Sequence, residues 1–465
     1  QQFLYMVLRT VPSTKNRIEK FEKIIKILKE NPEVYDKVVF ELSALNSKES
    51  YFIASLFSES YMKKPKWYWV IPLLSVTTIV SVLLSFIIPQ LFFLLLLLLM
   101  INFGLHYWNK LNLYRYSTSI PQLLKLNQAA KNIARLKDTK ELDPQIWDSI
   151  NAIDSLGPQM TLFKLEVKLQ SEIGQVVEYL VELIKALFLI EPLVLFNVLK
   201  QLDLKRSHLR RVYEYIGEID AAISIHLLRQ NIPYFCLPVT VEDEKQMKAK
   251  EVYHPLIFES VANSIDLNNK SALLTGSNMS GKTTFIRTIG INTITAQTIN
   301  TCFSKEFHIP ILKVHTAIRI SDDLLDENSY YFEEVLTVKT LLNESNKSDG
   351  NLFLLDELFK GTNTVERIAS GKAVLSYLSK GKNMVYVATH DMELAELLKD
   401  SFSLFHFTEI IQNGNIEFDY ILKTGNLTKT NAIRILEIND YPQEVVEEAT
   451  QVANKLANDK VNGDF

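Results

Sequence analysis

The feature that most constrains the fold is a glycine-rich segment in the C-terminal half, Gly276-x-x-x-x-Gly281-Lys282-Thr283. An apolar run, Ala272-Leu273-Leu274, precedes it, and a helical pattern follows from Thr284 onward. A strand that ends in such a loop and continues as a helix turns backbone N–H groups inward, and the helix N-terminus adds the positive end of its dipole. The pattern therefore predicts a phosphate-binding loop (P-loop) within an α/β domain.

The P-loop predicts ATP and Mg²⁺ as ligands and assigns their contacts. Lys282 is expected to neutralise the β- and γ-phosphates, and the Thr283 hydroxyl is expected to hold Mg²⁺. Further ATP contacts are predicted from the rest of the loop and the first helical turn: Gly276, Ser277, Asn278, Met279, Ser280, Gly281 and Thr284.

Two further apolar runs end close to residues that suit phosphate chemistry. Leu352–Leu355 leads into Asp356 and Glu357, of which Asp356 suits the Mg²⁺ shell and Glu357 suits the base that polarises the attacking water. Met384–Ala388 comes shortly before His390, which is expected at the ligand crevice of a doubly wound sheet, beside the γ-phosphate. The alternatives are an exposed strand end for the carboxylates and a structural role for the histidine.

A second constraint is the stretch from Val70 to Trp108, which contains no Asp, Glu, Lys or Arg. One membrane span needs about 20 apolar residues, and this stretch has about twice that length, with Pro89-Gln90 near its middle. It predicts a transmembrane hairpin of two helices, at roughly 70–88 and 91–108. Basic residues flank both outer ends, which favours a multi-pass protein of the cytoplasmic (inner) membrane with its ATP-binding domain in the cytoplasm. The alternative is a buried core hairpin.

The remaining sequence divides around these features. Residues 1–66 are predicted to be an amphipathic helical segment, 67–110 the membrane hairpin and 111–235 an all-α domain. Residues 236–465 alternate strand-like and helical runs, which predicts the α/β domain together with a C-terminal helical segment.

Charge and cysteine content narrow the partners. A net charge of −4 provides no overall basic field for nucleic acid. The local basic cluster Lys205–Arg211 suits phosphate binding, but a solvated helix face is the alternative. Cys236 and Cys302 are far apart in sequence and have no metal-ligand spacing, so reduced thiols are predicted.

Taken together, the C-terminal motifs resemble the ATPase domain of the MutS family of DNA mismatch-repair proteins, a branch of the ABC-type ATPases. A looser match to the family's signature segment covers Ser321-Asp322-Asp323-Leu324 and then Ser329-Tyr330-Tyr331-Phe332-Glu333-Glu334, with Glu327-Asn328 in place of a Gly-containing step before Ser329. The segments that carry the resemblance more closely are His254–Ile257, Thr275–Thr284, Asp356–Thr364, Ala388–Leu394 and Tyr441–Val446.

The resemblance implies a homodimer with shared ATP sites, in which Ser329 of one subunit reaches the γ-phosphate bound by the other. It also implies DNA, as mismatched or branched duplex, as a partner, and a helical core and lever region before the ATPase domain. Ser260-Val261-Ala262-Asn263 occupies the place of the family's adenine-stacking aromatic residue, so no such residue is assigned here.

The departures from the family shape the functional prediction. Too few residues lie between the hairpin and the ATPase domain for mismatch-reading, connector and clamp domains, and no Phe-x-Glu stands in a plausible leading domain. The prediction is a membrane-anchored MutS-like ATPase that binds DNA and is related to mismatch repair. The alternative is a membrane-associated mechanochemical ABC-type ATPase acting on a protein or lipid partner. A third hypothesis, an ABC transporter, is disfavoured because no Leu-Ser-Gly-Gly-Gln signature occurs in the sequence.

Overall fold

The structure, a computed structural model, describes most of the chain. The described residues are 2–12, 16–58, 61, 64–117, 119–136, 139, 141–157, 160, 175–242, 245–277, 279–318, 330–346, 350–412, 415–427, 432–439 and 441–462. The chain forms two compact units, Gln1–Met6 with Thr14–Leu227 and Val7–Ser13 with Leu228–Phe465. The finer division at residues 66, 110 and 235 stays a prediction.

The described residues of the first unit are helical. Apolar side chains at the 3.6-residue period are buried, as Phe21, Ile24 and Leu28 show. The helices are α1 (Gln2–Arg9), α2 (Asn16–Glu30), α3 (Pro32–Ser43), a 3₁₀ helix (Lys48–Ile53), α4 (Ser55–Ser58), α5 (Val70–Ser85), α6 (Leu91–Ser117), α7 (Ser119–Ala134), α8 (Ile146–Asp154), α9 (Gln175–Leu187), α10 (Ile190–Leu204) and α11 (Arg206–Gln230).

The helix pair α5–α6 buries several polar side chains and exposes many apolar ones. Across the pair, Asn102 Nδ2 donates a hydrogen bond to Thr78 Oγ1 at 3.0 Å. The buried polar residues are Ser75, Thr78 and Ser81 on α5 and Asn102, His106 and Asn109 on α6. The outward side chains are apolar, and Leu83, Phe93 and Met100 are 64%, 77% and 76% exposed. A surface helix of a water-soluble domain has the opposite arrangement.

Only one helix in the described part of the chain is long and apolar enough to cross a membrane. Leu91–Lys110 has a mean hydropathy of 2.0 and is 17% buried, whereas Val70–Ser85 is apolar but shorter. The second helix also runs past the predicted end near residue 108, because no glycine or proline interrupts the sequence between there and Ser117. The transmembrane position of the pair stays a prediction.

The second unit is an α/β structure. Its strands are β1 (Val239–Thr240), β2 (Gln246–Val252), β3 (Asn263–Asn268), β4 (Ser271–Thr275), β5 (Glu306–Ile309), β6 (Lys313–Ala317), β7 (Asn351–Asp356), β8 (Met384–Ala388), β9 (Phe402–His406), β10 (Glu409–Gln412), β11 (Asn415–Phe418) and β12 (Lys423–Thr424). Its helices are α12 (Lys282–Ile299), α13 (Tyr330–Ser345), α14 (Thr364–Leu378), α15 (Met392–Leu398), α16 (Ala432–Ile438) and α17 (Gln443–Asn462).

A six-stranded sheet with the order β12-β9-β4-β8-β7-β6 forms the centre of this unit. The five strands from β9 to β6 are parallel, and β12 is an antiparallel edge. Alternate residues point to opposite faces, so Leu274 and Leu354 pack with α12, while Leu273 and Phe353 pack with α13, α14 and α15. Because helices cover both faces, the strands are continuous apolar runs. The predicted α/β fold with a preceding helical region is confirmed.

Smaller sheets complete the unit. One has the order β1-β5-β2-β3, and β10 pairs with β11 as an antiparallel ribbon. The first of these lies against the α12 side of the core, since Met247 and Leu267 belong to the same apolar cluster as Phe285.

Candidate nucleotide-binding site

Three neighbouring parallel strands bring the predicted site residues to one edge of the sheet. β8 lies between β4 and β7, with Ala388 in register with Leu274 on one side and with Asp356 on the other. The backbone N–H of Thr389 donates to the Leu274 carbonyl at 3.0 Å, and that of Glu357 donates to the Ala388 carbonyl at 2.9 Å. The loops that follow these strands therefore start side by side.

The P-loop has the backbone that its glycines allow. Gly276 has a φ of 144°, and a Cβ there would lie 2.6 Å from the Phe407 carbonyl oxygen, so a larger residue is excluded on two grounds. Gly281 precedes α12 with a φ of 108°. Ser277 Oγ donates to Glu409 Oε2 at 2.8 Å and thereby ties the loop to β10. Asn278 lies outside the described residues.

Lys282 is held inside the loop. Its Nζ donates to the carbonyl oxygens of Gly276 at 2.7 Å and Ser277 at 2.8 Å. The side chain is buried, and this burial lowers the pKa of Lys282 to about 8, although the carboxylates of Glu357 and Asp356 act in the opposite direction. The ammonium group is thus placed at the centre of the predicted phosphate cradle.

Thr283 and Asp356 form a pair that suits Mg²⁺. Thr283 Oγ1 donates to Asp356 Oδ2 at 2.9 Å. Oxygen ligands at about 2.0–2.1 Å from an octahedral Mg²⁺ lie about 2.9 Å from their neighbours. The separation of these two oxygens therefore fits adjacent Mg²⁺ ligands, and both are hard oxygen donors of the kind that Mg²⁺ prefers.

Glu357 is held between His390 and Lys360. Its Oε1 lies 2.6 Å from His390 Nε2, and its Oε2 forms an ion pair with Lys360. The hydrogen bond from His390, followed by that from Lys360, lowers the pKa of Glu357 to about 2, although partial burial opposes the shift. The carboxylate is therefore fully ionised at neutral pH and suits the orientation of a water molecule as a hydrogen-bond acceptor.

Glu334, the last residue of the segment that resembles the family signature, belongs to this site, although the sequence assigned it no role. It lies on α13, is buried, and its carboxylate accepts a hydrogen bond from the backbone N–H of Phe359. Burial raises the pKa of Glu334. Phe359 has a φ of 62° and Glu357 one of 51°, so the carboxylate stabilises an unusual loop that carries the predicted base. Beside Glu333 in the sequence, Glu334 resembles half of an exposed acidic pair, which hides this role.

A cavity of about 730 Å³ adjoins these groups. The P-loop side is lined by Ser277, Met279, Ser280, Gly281, Lys282, Thr283 and Thr284, together with Asp356, Glu357 and Lys360. The rest of the lining includes Phe258, Val261 and Tyr420, of which Phe258 is 91% exposed and Tyr420 lies next to Gly281 of the P-loop. Asn263 fixes the Tyr420 segment by donating to the Tyr420 carbonyl at 2.9 Å and accepting from the Leu422 N–H at 2.7 Å. Aromatic residues missed by the family pattern thus flank the cavity.

His390 lies beside the cavity rather than in its lining. Among the described residues, it contacts the site through Glu357. Ser329 and the segment 321–324 lie outside the described residues, between the end of β6 and the start of α13. Their predicted role in a partner's site stays a prediction.

The basic cluster Lys205–Arg211 in the first unit is paired with groups of its own chain. Arg206 forms an ion pair with Asp203 at 2.8 Å, and Arg210 forms one with Glu214 at 2.9 Å. Arg211 Nη1 donates to Gln145 Oε1. Lys205 Nζ donates to the Ala152 carbonyl at 2.8 Å. The carboxylates of Asp203 and Glu214 compensate two of these positive charges, which favours the solvated-face interpretation over a phosphate-binding patch.

A second polar cluster lies around His106 in the first unit. His106, Glu182 and Glu191 place their ligand atoms within 4.8 Å of one another, as a metal site requires. Lys185 Nζ lies 3.0 Å from Glu182 and 3.2 Å from Glu191, and Lys110 Nζ lies 3.1 Å from Glu182. Two ammonium groups balance the two carboxylates, so the cluster is an internal ion-pair network.

Comparison with known proteins gives this geometry a context. Residues 272–457 match the family model described as MutS domain V. The DNA mismatch repair protein MutS of Listeria monocytogenes serotype 4a (strain HCC23) is 29% identical over 267 residues, which cover 54% of this chain and 30% of that protein. The MutS protein of Aquifex pyrophilus is 31% identical over 255 residues, covering 53% and 29%. That of Streptococcus agalactiae serotype Ia is 25% identical over 352 residues, covering 72% and 41%.

The matches therefore span less than half the length of these relatives. The match to the family model, residues 272–457, includes the P-loop, Asp356, Glu357 and His390. The C-terminal unit of this chain thus carries a domain similar to domain V of the MutS proteins.

Proposed function

We propose that this protein is a Mg²⁺-dependent ATPase. The observation that carries the proposal is the pairing of Thr283 with Asp356 directly beside the buried ammonium group of Lys282. A hydroxyl and a carboxylate at the spacing of Mg²⁺ ligands, next to a loop of inward N–H groups, suit a nucleoside triphosphate better than an uncharged ligand. The similarity to MutS domain V supports the same conclusion.

Each residue has a defined task in this proposal. Lys282 and the loop amides bind the phosphates, and Thr283 and Asp356 hold Mg²⁺, which would neutralise charge on the phosphate oxygens. Glu357 orients the attacking water, and His390 holds the Glu357 carboxylate in place through the 2.6 Å contact.

The base of the nucleotide has a site in the same cavity. Phe258 and Tyr420 line the same cavity as the P-loop, although no aromatic residue was expected from Ser260–Asn263. Stacking on an aromatic face suits a purine ring. We assign the adenine contacts to these two residues and to Val261.

The ATP site is proposed to be shared between two copies of the chain. The segment that carries Ser329 leaves the sheet from β6 and returns as α13, whose Glu334 contacts the loop after Glu357. Mixing Lys282→Ala and Ser329→Ala subunits tests this arrangement, because a mixed dimer keeps one intact site if Ser329 acts on the partner. About a quarter of the wild-type turnover would then return at random pairing. No recovery on mixing would show that Ser329 acts within its own chain.

The helix pair α5–α6 is proposed to anchor the protein in the cytoplasmic membrane, with the ATPase unit in the cytoplasm. Buried Ser75, Thr78 and Asn102, together with exposed Phe93 and Met100, give the arrangement that membrane helices adopt. In hydrocarbon the outward apolar residues are stable and the Asn102 amide bonds to the Thr78 hydroxyl inside the pair, whereas in water so large an exposed apolar surface would be costly.

Two outputs of the ATPase cycle remain in competition. One is a DNA-binding ATPase related to mismatch repair, as similarity to the MutS relatives suggests. The other is a membrane ATPase that acts on a protein or lipid partner. The charge compensation of Arg206 and Arg210 within the chain favours the second.

The two outputs differ in their response to DNA. Turnover is measured at low salt with matched, mismatched and branched duplexes, and separately with anionic vesicles. Stimulation by DNA that disappears as salt rises would support the first output. Stimulation by vesicles alone would support the second.

Glu357→Gln tests the hydrolytic proposal directly. Loss of the carboxylate should lower kcat by about 100-fold or more while ATP binding persists, because general-base positioning typically contributes at least that much. Glu396→Gln is the matched control, since Glu396 is an exposed carboxylate on α15 that pairs with Lys399. Equal turnover in the two variants would refute the role of Glu357.

A further inference from the structure

The two cysteines of this chain, which the sequence left unrelated, lie opposite each other in the second unit. Cys236 and Cys302 form an isolated antiparallel bridge outside the main strands. The N–H of each donates to the carbonyl of the other at 3.0 Å. They are the only two cysteines in 465 residues, and they meet as a directly opposed, hydrogen-bonded pair.

This backbone arrangement is compatible with a covalent bond between the side chains. Residues in a hydrogen-bonded antiparallel pair have Cα atoms about 5.5 Å apart and side chains on the same face. Disulfides span Cα separations of about 4.4–6.8 Å, most often near 5.5–6 Å. The pair can therefore be joined without displacement of its backbone.

The environments of the two thiols assign them different tasks. Cys236 is half-buried, whereas Cys302 is fully buried in the core cluster of the sheet. The hydrogen bond with the Cys302 thiol lowers the pKa of Cys236 to about 7, and Ser304 Oγ, 3.3 Å from its sulfur, acts in the same direction. Burial raises the pKa of Cys302. A reachable thiol with a pKa near ambient pH suits the attacking role, and its inaccessible neighbour suits the resolving role.

The surroundings hold the pair in place. Arg229 Nε donates to Thr301 Oγ1 at 3.0 Å, and its Nη2 donates to the Asn300 carbonyl at 3.0 Å. Tyr253 Oη donates to the Tyr234 carbonyl at 2.8 Å, two residues before Cys236. Both flanking segments are therefore anchored by side chains other than the cysteines.

We infer that Cys236 and Cys302 form a reversible intrachain disulfide by exchange with a low-molecular-weight disulfide such as oxidised glutathione. The Cys236 thiolate attacks one sulfur of the oxidant, a Cys236–glutathione bond forms, and one glutathione thiolate leaves. The Cys302 sulfur then displaces the second glutathione, and its proton goes to a departing thiolate. Two protein thiols lose two electrons in total, and one disulfide of the oxidant becomes two thiols.

The bond would close a loop that contains the nucleotide-binding elements. Cys236 precedes β1, and Cys302 follows the end of α12 at Ile299, so the P-loop lies within the closed segment. The oxidised protein is therefore expected to resist unfolding of this segment more than the reduced protein does.

The test uses the full chain, oxidised glutathione as the probe and no nucleotide, so its outcome is independent of the proposed ATPase activity. After exposure, free thiols are blocked with N-ethylmaleimide and the protein is digested without reduction. The expected product is one cross-linked pair of peptides containing residues 236 and 302, lighter by two hydrogen atoms. A stable glutathione adduct at Cys236, links between chains, or full N-ethylmaleimide labelling would each overturn the proposal.

Two variants separate the attacking and resolving thiols. Cys302→Ser should stop at the glutathione adduct of Cys236, whereas Cys236→Ser should leave the buried Cys302 unmodified in the folded protein. Reaction of Cys302 in the folded Cys236→Ser variant would contradict the assigned order. Since the wild-type measurement needs no substitution, a variant that fails to fold leaves the proposal testable.

Discussion

The helix pair α5–α6 and the strands β4, β7 and β8 are both strongly apolar in sequence, yet they use that property in opposite ways. Every residue of β4 and β8 is buried, because helices cover both faces of the sheet. In the helix pair, Phe93 and Met100 are exposed while Thr78, Asn102 and His106 are buried.

The difference shows that the direction of side chains, rather than mean hydropathy, distinguishes the two environments. Burial of apolar area stabilises the sheet in water by about 25 cal/mol per Å². The helix pair gains less in this way, because many of its apolar residues, such as Phe93 and Met100, remain outside. Its internal contacts are polar, as in the 3.0 Å bond from Asn102 to Thr78, which is the pattern of helices that pack in lipid.

The largest expected effect comes from truncation in the sheet. Leu354→Ala in β7 removes a buried side chain that packs against Gly290 of α12, and should cost about 2–5 kcal/mol of unfolding free energy. Met100→Ala on α6 removes an exposed side chain and should cost far less. All four tryptophans of the chain lie in the first unit, so their fluorescence does not report unfolding of the sheet. Hydrogen exchange of the β7 amides is therefore the measurement for Leu354→Ala.

The outcome of this pair of variants decides whether the comparison holds. Comparable losses in both variants would mean that Met100 is buried in the working protein, by a partner or by the rest of an assembly. A loss confined to Leu354→Ala would leave the apolar face of the helix pair free for lipid.

The sequence predicted the parts of the molecule in which a local pattern determines the structure. β4, β7 and β8 are short apolar runs in the sequence. Each is followed by a motif that requires such a strand, and these motifs contain Lys282, Asp356 and His390. Their convergence follows from the adjacency of parallel strands, which places carboxyl ends at one edge.

The sequence could not reveal contacts that depend on tertiary packing. Glu409 anchors Ser277 from a strand 132 positions later, and Glu334 binds the loop after β7 through a backbone N–H. Neither pairing has a local pattern. Likewise, Cys236 and Cys302 become neighbours only because the segment after α11 pairs with the segment after α12. The inward polar face of α5–α6 was also hidden, since isolated Ser, Thr and Asn in an apolar run do not indicate which side they face.

A charge introduced on the outer face of α5–α6 tests whether that face lies in lipid, unlike the buried faces of the sheet. Met100 is near the middle of Leu91–Lys110, where a lysine in hydrocarbon should cost about 2.5–3.5 kcal/mol of insertion free energy. Met100→Lys should therefore reduce the fraction of protein that resists extraction from membranes. Val365→Lys is the control, because Val365 is an exposed apolar residue on α14 in the other unit. Equal membrane association of both variants would argue that the helix pair lies in water.

The smallest effect concerns the buried polar groups of the two regions. In the helix pair, the buried Asn102 amide donates to the Thr78 hydroxyl, whereas Lys282 is a buried cation whose pKa falls from its usual 10.5 to about 8. Below pH 8 the ammonium form predominates with or without nucleotide, so this group adds no pH dependence. Above pH 8 the free protein loses the proton while bound phosphates favour it, so the Kd for ATP should rise by up to about tenfold per pH unit.

The lowered pKa of Lys282 affects folding stability in the opposite direction to ATP affinity, which provides an internal check. Because the unfolded chain keeps the Lys282 proton up to its usual pKa of 10.5, this group makes the nucleotide-free protein more stable as pH rises from about 8. Titration calorimetry with ATP across this range measures the affinity slope, and Lys282→Arg is the matched variant, since a guanidinium stays charged throughout. The slope should vanish in that variant even if binding weakens overall. An unchanged slope in Lys282→Arg would assign the titration to another group. It would also mean that burial at the edge of the sheet does not destabilise the ammonium form of Lys282.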